Sequence, residues 1–180
     1  GDNMKPIYIY IKKIIFEHKR LYQFYQWTKS FSNVLNCVCR IENNGMARIK
    51  KDIQGQGHSI KIGGGCVLSD VSIRIRGKNN RLVFENNCSI GIDCSFWMEG
   101  NNISITVGAG TTMTLRVHVN AQEDGTSIII GEDCMLSNTI IIRTSDSHPI
   151  YDRNTGQRIN CAKNITIGKH VWIAPNSKVM

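Results

Sequence analysis

Apolar residues recur at every sixth position through the middle and end of the chain. Ile62 is followed by Leu68, Phe84 by Ile90 and Phe96, Val107 by Met113 and Val119, Ile130 by Leu136 and Ile142, and Ile167 by Ile173 and Val179. The blocks opening at Ile62, Phe84, Val107, Ile130 and Ile167 align with one another, and their first residues lie 22, 23, 23 and 37 positions apart. A period of this size marks a solenoid, in which each repeat buries its apolar edge by stacking on its neighbours. Sixes with a small residue four places after the aliphatic describe a coil of three short faces, one inward side chain per face and a small residue at the corner. The third face is lengthened by turns rich in glycine and asparagine, such as Gln54-Gly55-Gln56-Gly57 and Arg76-Gly77-Lys78-Asn79-Asn80. These residues tolerate the positive φ of tight turns. The pattern predicts an all-β prism of parallel strands with one ragged edge.

The beginning of the chain has a different rhythm. Ile7, Ile11, Ile14, Ile15, Leu21, Tyr22 and Tyr25 recur at helical spacing, with Lys12, Lys13, Lys19, Arg20 and Lys29 between them. We expect an amphipathic helical segment over residues 1–36 and a β-domain over 37–180. Such a helix either packs its apolar face on the base of the solenoid or on another subunit, or lies on an anionic membrane surface.

Composition narrows the picture modestly. The 180 residues suit one domain, and the formal net charge of +8 raises affinity for anions in general, whether nucleic acid, lipid or a phosphorylated molecule. A nucleic-acid role has only this charge behind it, since no recognition helix or aromatic platform accompanies it. With no run of 18 apolar residues and no secretory signal, the expected location is the cytoplasm, with the inner face of the membrane as an option for the N-terminal helix. Seven cysteines without framework spacing argue against a secreted disulfide scaffold. Cys66, Cys88 and Cys134 take the fifth place of their sixes, as does Cys94 in the six after Cys88, and read as core packing. Cys37-Val38-Cys39 could seed a metal site, but no metal is expected there.

The last spacing exceeds its predecessors by 14 residues, so a coil there must throw out a loop, placed at about 143–160. It begins Ser145-Asp146-Ser147-His148-Pro149-Ile150-Tyr151-Asp152, and loops on a rigid scaffold are where chemistry concentrates. The sixes over 167–179 resemble the hexapeptide repeat of left-handed parallel β-helix acyltransferases. The His148 loop, followed 24 residues later by Trp172, is similar to galactoside and maltose O-acetyltransferases, and more so to bacterial capsule and sialic-acid O-acetyltransferases. The likeness covers about residues 53–180.

This resemblance implies direct acetyl transfer from acetyl-CoA to a hydroxyl of a bacterial surface glycan or its precursor sugar. His148 takes the family's place as general base, work to which imidazole is suited near neutral pH. Asp146 either orients that imidazole or caps the turn. Trp172 matches the tryptophan lining the family's donor channel, and its last place in a six, beside a corner, points it outward. Family members use backbone N–H groups just after this tryptophan as oxyanion donors; Ala174 has one and Pro175 has none. Tyr151, Asp152 and Arg153 continue the loop towards an acceptor sugar. A homotrimer is implied, with His148 and Trp172 meeting across an interface. No cysteine falls within 143–160, which favours transfer without an acyl-enzyme. His18, His58, His118 and His170 read as structural.

The chain stops at Val179-Met180, two residues into a face, so further coils are expected beyond it. Two rival readings share these features: an N-acyltransferase acting on an amino sugar, and a non-catalytic β-helix that binds glycans or serves assembly.

Overall fold

The computed structural model describes residues 39–180; the N-terminal segment and its expected helix lie outside the described residues. Fourteen strands follow in order: β1 Cys39–Asn43, β2 Met46–Gln56, β3 His58–Ile62, β4 Val67–Lys78, β5 Arg81–Phe84, β6 Ser89–Ile90, β7 Ser95–Glu99, β8 Ser104–Val107, β9 Thr112–Gln122, β10 Ser127–Ile130, β11 Met135–Arg143, β12 Ile165–Ile167, β13 Trp172–Ile173 and β14 Lys178–Val179. All the pairings between them are parallel. One face of the prism is the six-stranded sheet β1-β3-β5-β8-β10-β12. The other two are formed by the long strands β2, β4, β9 and β11, each running round a corner, and by the split pairs β6 with β7 and β13 with β14; from the second coil on, a residue with positive φ stands at that corner, namely Asp70, Asp93, Arg116, Thr139 or Asn176. The expected all-β parallel solenoid is what forms, and it contains no helix among the described residues.

Register explains why the sixes work. Ile62, Phe84, Val107, Ile130 and Ile167 stack in one column. Leu68, Ile90, Met113, Leu136 and Ile173 form a second, and Ile73, Phe96, Val119, Ile142 and Val179 a third. The columns fill the interior, where Phe84 meets Phe96 edge to face at 4.8 Å. Each such side chain taken fully out of water contributes about 1.5–3 kcal/mol before conformational entropy is set against it. Cys66, Cys88, Cys94 and Cys134 are buried at the corners, as their places in the sixes predict. Burial and the neighbouring Cys66 push the Cys88 thiol up to about 12, so it stays a neutral packing group.

The third corner carries polar side chains inside. Asn80, fully buried, donates from Nδ2 to the carbonyls of Arg76 and Gly100 and accepts from Ile103 N–H, each at 2.9 Å. His58 below it bonds through both ring nitrogens, Nε2 to the Gln54 carbonyl and Nδ1 from Asn80 N–H, both at 3.2 Å. This satisfied pair bridges the first two coils where apolar packing is interrupted.

Candidate active site

The extra residues leave the prism at the end of β11 and return at β12, so the connection spans 144–164. It is bounded more widely than the sequence suggested, and Cys161, which is exposed, belongs to it. The inference that the loop lacks a cysteine is therefore corrected. The segment is not closed by apolar burial; polar bonds hold it to the solenoid.

Its base is fixed by Glu123, which sits at φ 75° at the corner after β9. The Glu123 carboxylate accepts both arms of Arg158, at 2.5 and 3.0 Å, the Ser145 hydroxyl at 2.7 Å and Ala162 N–H at 3.3 Å. Arg158, foremost among these partners, helps bring the Glu123 carboxyl down to about 2. Ser147, a non-glycine residue at φ 66°, is held from two sides. Its hydroxyl accepts from Arg143 and donates to Gln122 Oε1, at 2.6 and 2.7 Å. Left-handed backbone at serine costs energy, and these bonds keep it in place.

His148 follows directly and is exposed. Its carbonyl accepts from Asn160 Nδ2 at 2.8 Å, and the same amide nitrogen donates to Asp146 Oδ2 at 3.1 Å. Asp146 makes no hydrogen bond to the His148 imidazole; its carboxylate is engaged by Asn160. Beyond Pro149 the chain forms a short hairpin, with Asp152 N–H donating to the Gln157 carbonyl and Ile159 N–H to that of Ile150. Asp152 accepts the N–H groups of Thr155 and Asn154 and the Thr155 hydroxyl, closing the tip turn, and these donors hold its carboxyl below the usual range. Tyr151 and Arg153 stand exposed on either side, and Ile150 and Ile159 are exposed with them.

Trp172 lies on β13, 67% exposed, paired with Met135, itself 57% exposed. Met135 opens β11, whereas His148 follows its far end, with the Thr139 corner between them. One chain therefore does not set His148 and Trp172 side by side. Ala174 occupies the place held three coils earlier by Gly91, whose N–H runs along the stacking axis to the Met113 carbonyl.

The outward face beside the loop carries His118, which the sequence marks as structural, together with residues it does not single out. Across β7 and β9, Ser95 and His118 are joined at 2.7 Å, and Trp97 registers with Asn120, which registers with Arg143. Arg74, paired with Asp52, lies over the Trp97 ring at 5.2 Å. A shallow depression on this face is lined by Lys50, Asp52, Ser72, Arg74, Ser95 and Trp97. Strand alternation was the available signal: Trp97 falls between inward Phe96 and Met98 and so must face out. Among the other histidines, His58 and His118 are engaged as described, and His170 lies 3.9 Å from Asp133. Among the described residues no group of three His, Cys, Asp or Glu side chains is placed to hold a metal ion.

No protein-family profile matches the chain. Its sequence is 35% identical over 127 residues to a polysialic acid O-acetyltransferase of Neisseria meningitidis, covering 70% of this chain and 57% of that protein. It is 39% identical over 75 residues to a polysialic acid O-acetyltransferase of Escherichia coli O1:K1 / APEC, covering 42% and 22%. Among solved structures, the polysialic acid O-acetyltransferase OatWY superposes with a TM-score of 0.72 at 30% identity, over 78% of this chain and 66% of that one. The polySia-specific acetyltransferase NeuO superposes with a TM-score of 0.53 at 26% identity, over 78% and 64%. The chain thus spans little more than half of the first of these relatives, 57% of its length. In sequence and in fold, the relatives of this chain are polysialic acid O-acetyltransferases, the group that its histidine loop and terminal coil resemble.

Proposed function

We propose that this protein transfers an acetyl group from acetyl-CoA to a hydroxyl of an anionic bacterial capsule glycan, polysialic acid or a close chemical relative. The observation that carries the reading is the anchored loop: His148 is presented to solvent on a segment held by a buttressed carboxylate, beside an outward face bearing an aromatic ring, hydroxyl and amide groups. Such a surface suits a sugar, whose apolar ring face stacks on indole while its hydroxyls take polar partners. The net charge of +8 suits a polyanionic acceptor.

The chemistry follows from the residues. The acceptor hydroxyl oxygen attacks the thioester carbonyl carbon while His148 takes its proton. Collapse of the tetrahedral intermediate breaks the carbon–sulfur bond, and the imidazolium returns the proton to the departing thiolate, giving an O-acetyl ester and free CoA. Trp172 offers an exposed ring beside Met135 on which the donor's pantetheine arm can lie, and an N–H for the developing oxyanion. Because His148 and Trp172 sit on different parts of one prism, the complete site takes Trp172 from a neighbouring subunit, in keeping with a homotrimer. The exposed Ile150, Tyr151 and Ile159 of the hairpin would be covered in that contact. We place the protein in the cytoplasm, where acetyl-CoA is made.

The test is to incubate the full chain with acetyl-CoA and polysialic acid and follow O-acetyl signals by NMR together with free thiol. O-acetylated polymer and stoichiometric CoA are expected, with amino-sugar acceptors inert. Donor binding without product on any glycan would replace this reading with a binding module.

A further inference from the structure

Asn160 lies twelve residues beyond His148 and takes no part in the chemistry above, yet its amide reaches into the loop on both sides of Pro149. Nδ2 donates to the His148 carbonyl at 2.8 Å and to Asp146 Oδ2 at 3.1 Å. Oδ1 accepts Ile150 N–H at 2.7 Å, with Arg158 Nε at 3.4 Å as a weaker second donor. A primary amide has two donors and two acceptor lone pairs, and here all four directions are used. The arrangement fixes which end of the amide faces which partner: turning it over would set NH2 against Ile150 N–H and oxygen against a carbonyl and a carboxylate.

We propose that Asn160 is a positioning residue for His148, acting through the main chain of residues 148–150. The proline between the two bonded peptide groups cannot donate, and its φ is confined near −65°, so the amide bonds the remaining polar groups of a stiff step. On the other side, Ser147 is locked at φ 66° by Arg143 and Gln122. The backbone carrying the imidazole is thereby clamped immediately before and immediately after it. Arg158 connects the clamp to the solenoid, since it bonds the Asn160 carbonyl as well as Glu123. Asp146, bound to the same amide, serves the clamp and not the imidazole.

The inference rests on His148 as the base, and the experiment separates the two. Acetyl transfer to polysialic acid is measured for the full chain, Asn160→Ala, Asn160→Asp, His148→Ala and the double variant His148→Ala/Asn160→Ala. Asn160→Asp keeps the acceptor for Ile150 N–H but loses both donors. Displacement of a catalytic group by about 1 Å costs about 10²-fold, so kcat of either single Asn160 variant should fall by about 10- to 100-fold with little change in KM for acetyl-CoA. In the His148→Ala background the Asn160 substitution should cost nothing further, because there is no imidazole left to place.

If His148→Ala is inactive while both Asn160 variants keep full kcat, or if the losses simply multiply in the double variant, the positioning role is overturned and the base assignment stands. If His148→Ala is fully active, the functional reading itself fails. Should Asn160→Ala not fold, Asn160→Asp carries the test; failure of both to fold would make Asn160 a stability residue and overturn the proposal.

Discussion

Replacing Glu123 with glutamine should release the 144–164 connection without unfolding the solenoid. Glu123 gathers four donors from three parts of the connection, Arg158 by a bidentate pair, Ser145 and Ala162. Its carboxyl falls from 4.5 to about 2. At about 1.4 kcal/mol per pH unit this sets an upper bound of roughly 3 kcal/mol. The side chains of Glu123 and Arg158 remain 31% and 27% exposed, so solvent screening reduces the sum to about 1–2 kcal/mol. That is a factor of about 5–30 in the population of the released loop. Trypsin cleavage after Arg158 and Lys163, under conditions where opening is fast relative to cutting, should accelerate by that factor in Glu123→Gln. The sign with pH follows from the lowered value: the contribution is complete above 4.5, where the carboxylate is ionised even in the released loop, and is lost as pH falls towards 2. Equal cleavage rates in the two proteins, or a wild-type loop whose amide hydrogen exchange, corrected for intrinsic rate, is equally protected at pH 2.5 and pH 6, would refute the reasoning.

Three further outcomes follow from particular side chains. Burial lowers the pKa of His58 below 6.5, so its contribution is full above about pH 6.5 and lost as pH falls towards the folded value; chemical denaturation at a series of pH values should show this slope in the wild type and lose it in His58→Gln. A Cβ at Gly77 would fall 2.0 Å from the Gly100 carbonyl oxygen at φ 109°, so Gly77→Ala should lower the melting temperature, whereas Gly156→Ala, with no atom within 4 Å of its Cβ, should cost far less. Cys161→Ala should retain acetyl transfer, since the proposed route forms no acyl-enzyme; trapping an acetyl group on Cys161 would contradict it.

Much of the fold was legible because stacking imposes a local rule on every coil. Phe84, Ile90 and Phe96 occupy the same inward places as Val107, Met113 and Val119, so a period in sequence is a column in space. The buried Asn80 was not legible: it lies in a turn composition that reads as surface, and only the carbonyl of Gly100 in the next coil reveals its inward bond. The loop divides in the same way. Its existence and His148 stand out because they interrupt the period, but Glu123 and Arg158 are 35 residues apart and Asn160 reads as an ordinary polar residue. Asp152 and Asp146 looked available for substrate and imidazole because carboxylates in loops often are; their nearest donors, Thr155 and Asn160, are set by backbone geometry that no spacing conveys.

The central claim is that His148 takes the acceptor's proton, and the most direct measurement is CoA release from acetyl-CoA with polysialic acid as acceptor, comparing the full chain with His148→Ala. Loss of a general base costs about 10²–10⁴-fold, so turnover should fall by at least about 10²-fold while the melting temperature is unchanged, because the imidazole is exposed and bonds to nothing that holds the fold. Turnover that survives the loss of His148 would contradict the account.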